Sequence, residues 1–262
     1  MKKKGLVLAG LLLLTAGVFA GCSKKESNTF TVGFDANFPP YGYTDESGAY
    51  VGFDLDLAAE VAKRNGWEIK LQAIDWDSKD MELSSGSIDC IWNGFTMSEE
   101  RIDKYEWTTP YVDNSQVFVV KKDSGITTQA DLAGKIVAVQ ADSSALEALN
   151  SDECSELLAS FSELVTVPDY NTAFMNLEAG AVEAIAMDIG VAKYQNSARD
   201  DQFLILDEEL VSELYGVGFL KGNTELRDKV QTSLNEMAAD GTLDQIAEKW
   251  SLTDSVVLGE TE

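Results

Sequence analysis

Two stretches of the chain, 94 residues apart, are punctuated in the same way. Leu83-x-x-Gly86-x-Ile88-Asp89-x-Ile91 recurs as Leu177-x-x-Gly180-x-Val182-Glu183-x-Ile185. Each copy reads as a helix end, a glycine stop and a buried strand, since glycine closes helices and β-branched residues favour extended backbone. Such a unit cannot bury its apolar faces alone, so two copies in 262 residues predict two lobes on one βα plan. Chance recurrence is the alternative, because Leu-x-x-Gly before a strand is common.

Strands and helices alternate around these copies. Residues 31–34, 88–92, 117–120, 136–139 and 184–187 read as strands. Trp67, Ile69, Leu71 and Ala73 alternate with polar residues and form another. Leu55, Ala58, Ala59, Val61 and Ala62 line one face of a helix that stops at Gly66. Residues 223–239 and 243–250 read as closing helices. This alternation predicts an α/β fold with largely parallel sheets.

Composition removes whole classes of function. With 20 basic and 45 acidic residues, the formal charge of −25 argues against nucleic acid, which needs clustered lysine and arginine. The absence of histidine excludes Ser-His-Asp and Cys-His catalysis and any His-ligated metal, and no cofactor or metal is expected. Three cysteines cannot build a disulfide framework. Cys90 reads as a buried free thiol in a strand, and the state of Cys154 stays open.

Residues 1–21 read as an address rather than a fold. Lys2, Lys3 and Lys4 precede an apolar stretch of 14 residues, too short to span a bilayer and right for a signal peptide. Phe19-Ala20-Gly21-Cys22 resembles a bacterial lipobox, which implies cleavage before Cys22, acyl chains on that cysteine and a tether over 22–29. An ordinary secretory signal is the alternative. No later apolar run spans a membrane, so lipid is the expected anchor.

In open α/β sheets ligands bind beyond the carboxyl ends of strands. Those positions are Asn93-Gly94-Phe95-Thr96 in one lobe and Met187-Asp188-Ile189 in the other. Thr96-Met97-Ser98-Glu99 fits a capping box and predicts a short helix with Arg101 in its first turns. Arg101 offers a planar fork for a carboxylate, or pairs with Glu99 or Glu100 on a solvated face. Asp188 receives an ammonium group, or only caps the next helix. Ser143 and Ser144 donate to an anion, or serve as N-caps. Asp35 follows the first strand, and Phe38 and Trp76 lie near strand ends, where packing is their default role.

Gly52-Phe53-Asp54-Leu55-Asp56-Leu57-Ala58-Ala59-Glu60-Val61-Ala62 resembles the signature of the polar amino acid solute-binding proteins of ABC importers, solute-binding family 3. Phe34-Asp35-Ala36-Asn37-Phe38-Pro39-Pro40-Tyr41, Asp75-Trp76-Asp77, Met97-Ser98-Glu99-Glu100-Arg101 and Pro110-Tyr111 follow in family order. Gly134-Lys135-Ile136-Val137-Ala138-Val139-Gln140 and Ala239-Asp240-Gly241-Thr242-Leu243 complete a likeness over about residues 30–252.

The resemblance implies a type II periplasmic-binding-protein fold with two lobes and a two-strand hinge. Lobe 1 would comprise 30–113 and 216–262, and lobe 2 would comprise 114–215. It implies a lipid-anchored extracytoplasmic monomer that captures an L-amino acid and delivers it to an ABC permease with a cytoplasmic ATPase. Arg101 matches the family's arginine for the α-carboxylate. Thr96 and the Gly94 backbone match contacts to the polar head. Ser143 and Ser144 match carboxylate donors, and Asp188 matches the acid for the α-ammonium. Phe38 and Trp76 match the pair that sandwiches the side chain, with Asp35 at the pocket edge. Asn93 and Trp92 replace residues that are smaller in many members, and strand alternation sends Asn93 to the pocket and Trp92 behind it. Asp142 stands where glycine is common. The Trp92-Asn93-Gly94 run looks like a subgroup that includes cystine carriers, so the cargo is expected to be polar, with cystine a candidate. The rival reading is a dehydratase on the same fold, with Asp35 or Asp188 as acid or base.

Overall fold

The computed structural model describes residues 28–259. The expected signal peptide over 1–21, lipidation at Cys22 and the tether over 22–29 as far as residue 27 lie outside the described residues.

Two mixed sheets carry the two lobes. The first has the order Glu68–Ala73, Thr29–Phe34, Cys90–Ile91, Gly218–Leu220, Tyr105–Trp107. Its first three strands are parallel, and Gly218–Leu220 is antiparallel to both neighbours. The second has the order Glu163–Val167, Ile136–Gln140, Ala184–Asp188, Val112–Lys121, Phe203–Ile205, again with three parallel strands first. The expectation of largely parallel sheets therefore holds only where βα units build each sheet. Where the chain enters or returns, no crossover helix is needed and pairing is antiparallel.

The repeat seen in sequence is a repeat in space. Helices Lys79–Ser85 and Tyr170–Ala179 end at Gly86 (φ 76°, ψ 19°) and Gly180 (φ 74°, ψ 21°). A side chain disfavours that left-handed backbone by roughly 1–2 kcal/mol, which is why glycine stands at both stops. The matched acids do the same work in each copy. Asp89 Oδ2 accepts from Thr31 N and Glu183 Oε2 accepts from Ile136 N, both at 2.7 Å, tying each strand to its neighbour's start. Both units then deliver a strand to the middle of its sheet, with its carboxyl end at the interlobe cleft.

Two antiparallel strands connect the lobes. Val112–Lys121 pairs with Val211–Tyr215 from Val112↔Tyr215 to Gln116↔Val211. Thr96 bridges to Tyr215 and Val112 bridges to Val256, which fastens one end of this ladder to the first lobe. The other end continues into the second sheet. We propose this ladder as the hinge, with lobe 1 over 30–113 and 216–262 and lobe 2 over 114–215.

Three local expectations need correction. Residues 99–104 form consecutive turns, not a helix: Arg101 N and Ile102 N both bond to Ser98 O, and the chain re-enters a strand at Tyr105. Met97 N is already committed to Leu214 O, so too little free chain remains for a helix. The strand expected over 88–92 shortens to Cys90–Ile91. The first helix starts earlier than expected, spanning Phe53–Asn65, with Asp54 and Asp56 in the first turn where the helix dipole favours acids.

Candidate functional site

The strand ends of both lobes converge on one cleft. It is lined by Phe38, Trp76, Asn93, Gly94, Thr96 and Arg101 from one side, and by Gln140, Ser143, Ser144 and Asp188 from the other. Nine of the ten residues singled out in sequence are in this lining. The tenth, Asp35, lines the adjoining mouth and accepts from Gln140 Nε2 at 2.7 Å. About 10 Å³ of free space remains among the cleft residues, at most the room for one water, so ligand entry requires the lobes to part. Contacts across the cleft hold it shut: Trp76 Nε1 donates to Asp142 O at 3.2 Å, and Lys79 pairs with the Asp142 carboxylate.

Arg101 does not pair with Glu99 or Glu100, which stay exposed. It reaches the other lobe, where Nη2 donates to Asp142 O at 3.0 Å and Nε lies 3.3 Å from Glu147 Oε2. Its guanidinium also lies 5.4 Å from the centre of the Phe95 ring. Asp142 takes φ 54°, the left-handed conformation that makes glycine common at such a point. That turn aims its carbonyl at both Arg101 and Trp76.

Asp188 occupies the N-cap position of helix Ile189–Ser197, yet its side chain makes no capping bond. Its carboxylate accepts instead from Gln116 Nε2 at 2.7 Å, Asn114 Nδ2 at 3.1 Å, Tyr170 OH at 3.4 Å and Tyr215 OH. Burial raises its pKa above the usual carboxylate range. Ser143 is the true N-cap of helix Ser144–Leu149: its hydroxyl accepts from Leu146 N at 3.2 Å and donates to Gln140 O at 2.8 Å. Thr96 Oγ1 lies 3.2 Å from Ser144 Oγ, joining the two sides.

The signature acid Asp54 explains the shape of the first-lobe loop. It is fully buried, its Oδ2 accepts from Gly94 N at 2.6 Å, and burial pushes its pKa up to about 7. Gly94 sits at φ +53°, and a Cβ there would lie 2.7 Å from Phe38 and 3.0 Å from the Tyr215 ring. Gly94→Ala is therefore expected to cost about 1–2 kcal/mol of stability from backbone alone and to push Phe38 into the cleft. Urea melts check the first effect, and an unchanged midpoint would contradict this geometry.

Four polar residues at the site were not singled out in sequence. Gln140 ends the strand Ile136–Gln140, and that strand-end position was the signal for it. Asn114 and Gln116 lie in the polar first half of the strand Val112–Lys121, yet both are buried. Glu213, on the returning hinge strand, carried no local signal. Trp92 and Asn93 fall as expected: Asn93 lines the cleft, whereas Trp92 is buried behind it against Tyr111. Cys90 is free and buried, and Cys154 is free and half-buried.

Two α/β lobes joined by a strand pair, with a polar cleft between them, define a solute-binding architecture. The model of the bacterial extracellular solute-binding proteins, family 3, matches residues 30–253, and the chain belongs to that family. Its fold is the two-lobe type II form. It is 32% identical to the L-cystine-binding protein TcyJ of Escherichia coli over 228 residues, covering 86% of this chain and 84% of that one. It is 29% identical to the arginine-binding extracellular protein ArtP of Bacillus subtilis, covering 95% and 98%. Among solved structures, an ABC uptake transporter substrate-binding protein from Streptococcus pneumoniae with bound histidine superposes with a TM-score of 0.84. That pair shares 33% identity, over 88% of this chain and 95% of the other. Among the described residues no group of acids and cysteines is set to hold a metal. None of the described helices is long and apolar enough to cross a membrane.

Proposed function

We propose that this protein captures an L-amino acid in the interlobe cleft and delivers it to the permease of an ABC importer driven by a cytoplasmic ATPase. Asp35, Phe38, Trp76, Asn93, Gly94, Thr96, Arg101, Ser143, Ser144 and Asp188 form the binding site. The carrying observation is that a guanidinium, a set of hydroxyls and a buried carboxylate from both lobes meet in one cleft. A zwitterion needs that set, an anion grip at one end and an acid at the other. Both lobes engage the ligand only when closed, so binding favours closure and the permease reads the closed face. The chain works as a monomer, without enzymatic turnover, anchored outside the cell by lipid on Cys22. Loss of acyl labelling in Cys22→Ser tests the anchor.

The mouth of the cleft bears on the cargo. A cavity of about 560 Å³ is lined by Asp35, Asp75, Asp77, Glu82 and Asp169 together with Trp76, and by no lysine or arginine. Burial pushes the Asp35 carboxyl up to about 6, and a nearby cation would favour its charged form. This lining suits a polar side chain with a positive distal group. L-arginine meets that description with its guanidinium, and L-cystine in part, since its distal ammonium comes with a second carboxylate.

A thermal-shift panel on protein refolded to strip carried ligand tests the reading. It comprises the twenty common L-amino acids, L-cystine, L-citrulline and prephenate. A ligand at ~100 times its Kd adds about 2.7 kcal/mol and moves the midpoint by several degrees. L-arginine or L-cystine is expected to shift it, and L-citrulline, which lacks the charge, much less. Silence with every amino acid on folded protein would sink the importer reading, and turnover of prephenate would favour the dehydratase.

A further inference from the structure

Behind Thr96 and Ser144 of the cleft stands an acid that the zwitterion reading does not use. Glu213 stands on the hinge strand Val211–Tyr215. Its Oε1 accepts from Asn114 Nδ2 and Gln116 Nε2, both at 2.7 Å, from Thr96 Oγ1 at 2.9 Å and from Ser144 Oγ at 3.3 Å. Asp188 Oδ1 accepts from the same two amides, at 3.1 and 2.7 Å. Two oxygens each 2.7 Å from Gln116 Nε2 are separated by at most twice that distance. The partners of both carboxylates are amides and hydroxyls, with no lysine or arginine among them.

Three phenols face this pair: Tyr215 beside Glu213, Tyr170 on helix Tyr170–Ala179, and Tyr41 from the first lobe. Burial holds all three well above the usual phenol range, so none supplies a charge at neutral pH. On its other side Glu213 lines a cavity with Glu99, Glu100, Glu147 and Glu153. Arg101, which lines the cleft with Asp188, is engaged by Glu147 and the Asp142 carbonyl. The remaining amide oxygens, Asn114 Oδ1 and Gln116 Oε1, are buried without a donor. The locus therefore has an excess of acceptors and no cation bonded to either carboxylate. Like charges this close, one buried and the other half-buried, do not both stay ionised.

We propose that Asp188 and Glu213 share one proton, and that the ligand's α-ammonium replaces it, which makes Glu213 a second ammonium-binding residue contributed by the hinge. This rests on the amino-acid reading of the cleft. On binding, the O–H bond to the shared proton breaks and the proton passes to solvent. The N–H groups of the ammonium then donate to both carboxylates, so one positive charge replaces another. Burial and the neighbouring Asp188 charge push Glu213 up to about 7. The proton competes with the ammonium below that point and is absent above it. Affinity therefore falls as pH drops, approaching tenfold per unit below about 7.

Two measurements test this. In ligand-stripped protein, carboxyl-carbon NMR follows Glu213 and Asp188 through a pH titration. One carboxyl of the pair is expected to titrate near neutrality, and the step is expected to vanish in Glu213→Gln. Next, a pH-matched mixture of the twenty common L-amino acids and L-cystine is added to weakly buffered protein with an indicator dye. Wild type is expected to release up to one proton, and Glu213→Gln is expected to release none and to bind with flat pH dependence. Should Glu213→Gln fail to fold, the wild-type titration still decides. Both carboxyls titrating in the ordinary acid range, or full proton release from a folded Glu213→Gln, would overturn the proposal. A neutral titration step without any binding would instead refute the amino-acid reading and the ammonium step together, leaving the shared proton in place.

Discussion

Arg101→Ala and Asp188→Ala each weaken capture of the cargo amino acid by about 3 kcal/mol or more, over a hundredfold in Kd. Arg101→Ala would leave the ligand's carboxylate buried without its partner, and Asp188→Ala would leave its ammonium with Glu213 alone. Either loss costs far more than a lost surface pair. Arg101 is 6% exposed and Asp188 3% exposed, so water does not replace them in the closed cleft. The variants differ in their side effects. Arg101→Ala also releases Glu147 and the Asp142 carbonyl, and with them two contacts that hold the lobes shut. Asp188→Ala frees the amides of Asn114 and Gln116 but leaves Glu213 to receive them. Calorimetry with the amino acid that the thermal panel selects checks both. Near-wild-type affinity in the two variants would remove them from the site.

The second large effect concerns stability. Trp92→Ala is expected to cost about 3–5 kcal/mol, the usual penalty for emptying a packed aromatic site. Trp92 is fully buried, its ring meets Tyr111 edge-on at 6.3 Å, and its N–H on the backbone bonds to Gly33 O at 3.1 Å. Only the side chain is lost in the variant, so the cavity term is the one measured. The melting midpoint should fall on the order of 10 °C for a chain of this size. Denaturant titration gives the free energy directly, and a loss below about 1 kcal/mol would mean that the core collapses around the gap.

Much of the site was legible because strand ends are local signals. Asn93, Gly94, Thr96, Ser143, Ser144 and Asp188 all follow buried apolar runs, and a strand's carboxyl end faces the cleft wherever βα units repeat. Residue type then limited the chemistry: a guanidinium, hydroxyls and an acid. The helix expected near Arg101 failed for a non-local reason. A capping-box pattern was present, but Met97 and Thr96 were committed to the returning hinge strand, whose sequence lies over a hundred residues away. Asp188 was ambiguous for the same reason. Its position is that of a helix cap, and its side chain turns to Gln116 and Tyr215 on the hinge strands instead.

The sequence by itself determined the plan: two copies of one helix–glycine–strand unit, the alternation that makes an α/β fold, and the residues at its strand ends. Periodicity, glycine stops and family motifs are properties of neighbouring residues, so they are written locally. Only the tertiary structure decided which groups meet. Arg101 finds Asp142 and Glu147, Asp35 finds Gln140, and Asp188 comes to share two amides with Glu213. Those encounters join residues 25 to 105 positions apart. They exist because hinge strands and lobes fold back on one another, and burial then fixes the charge each acid carries.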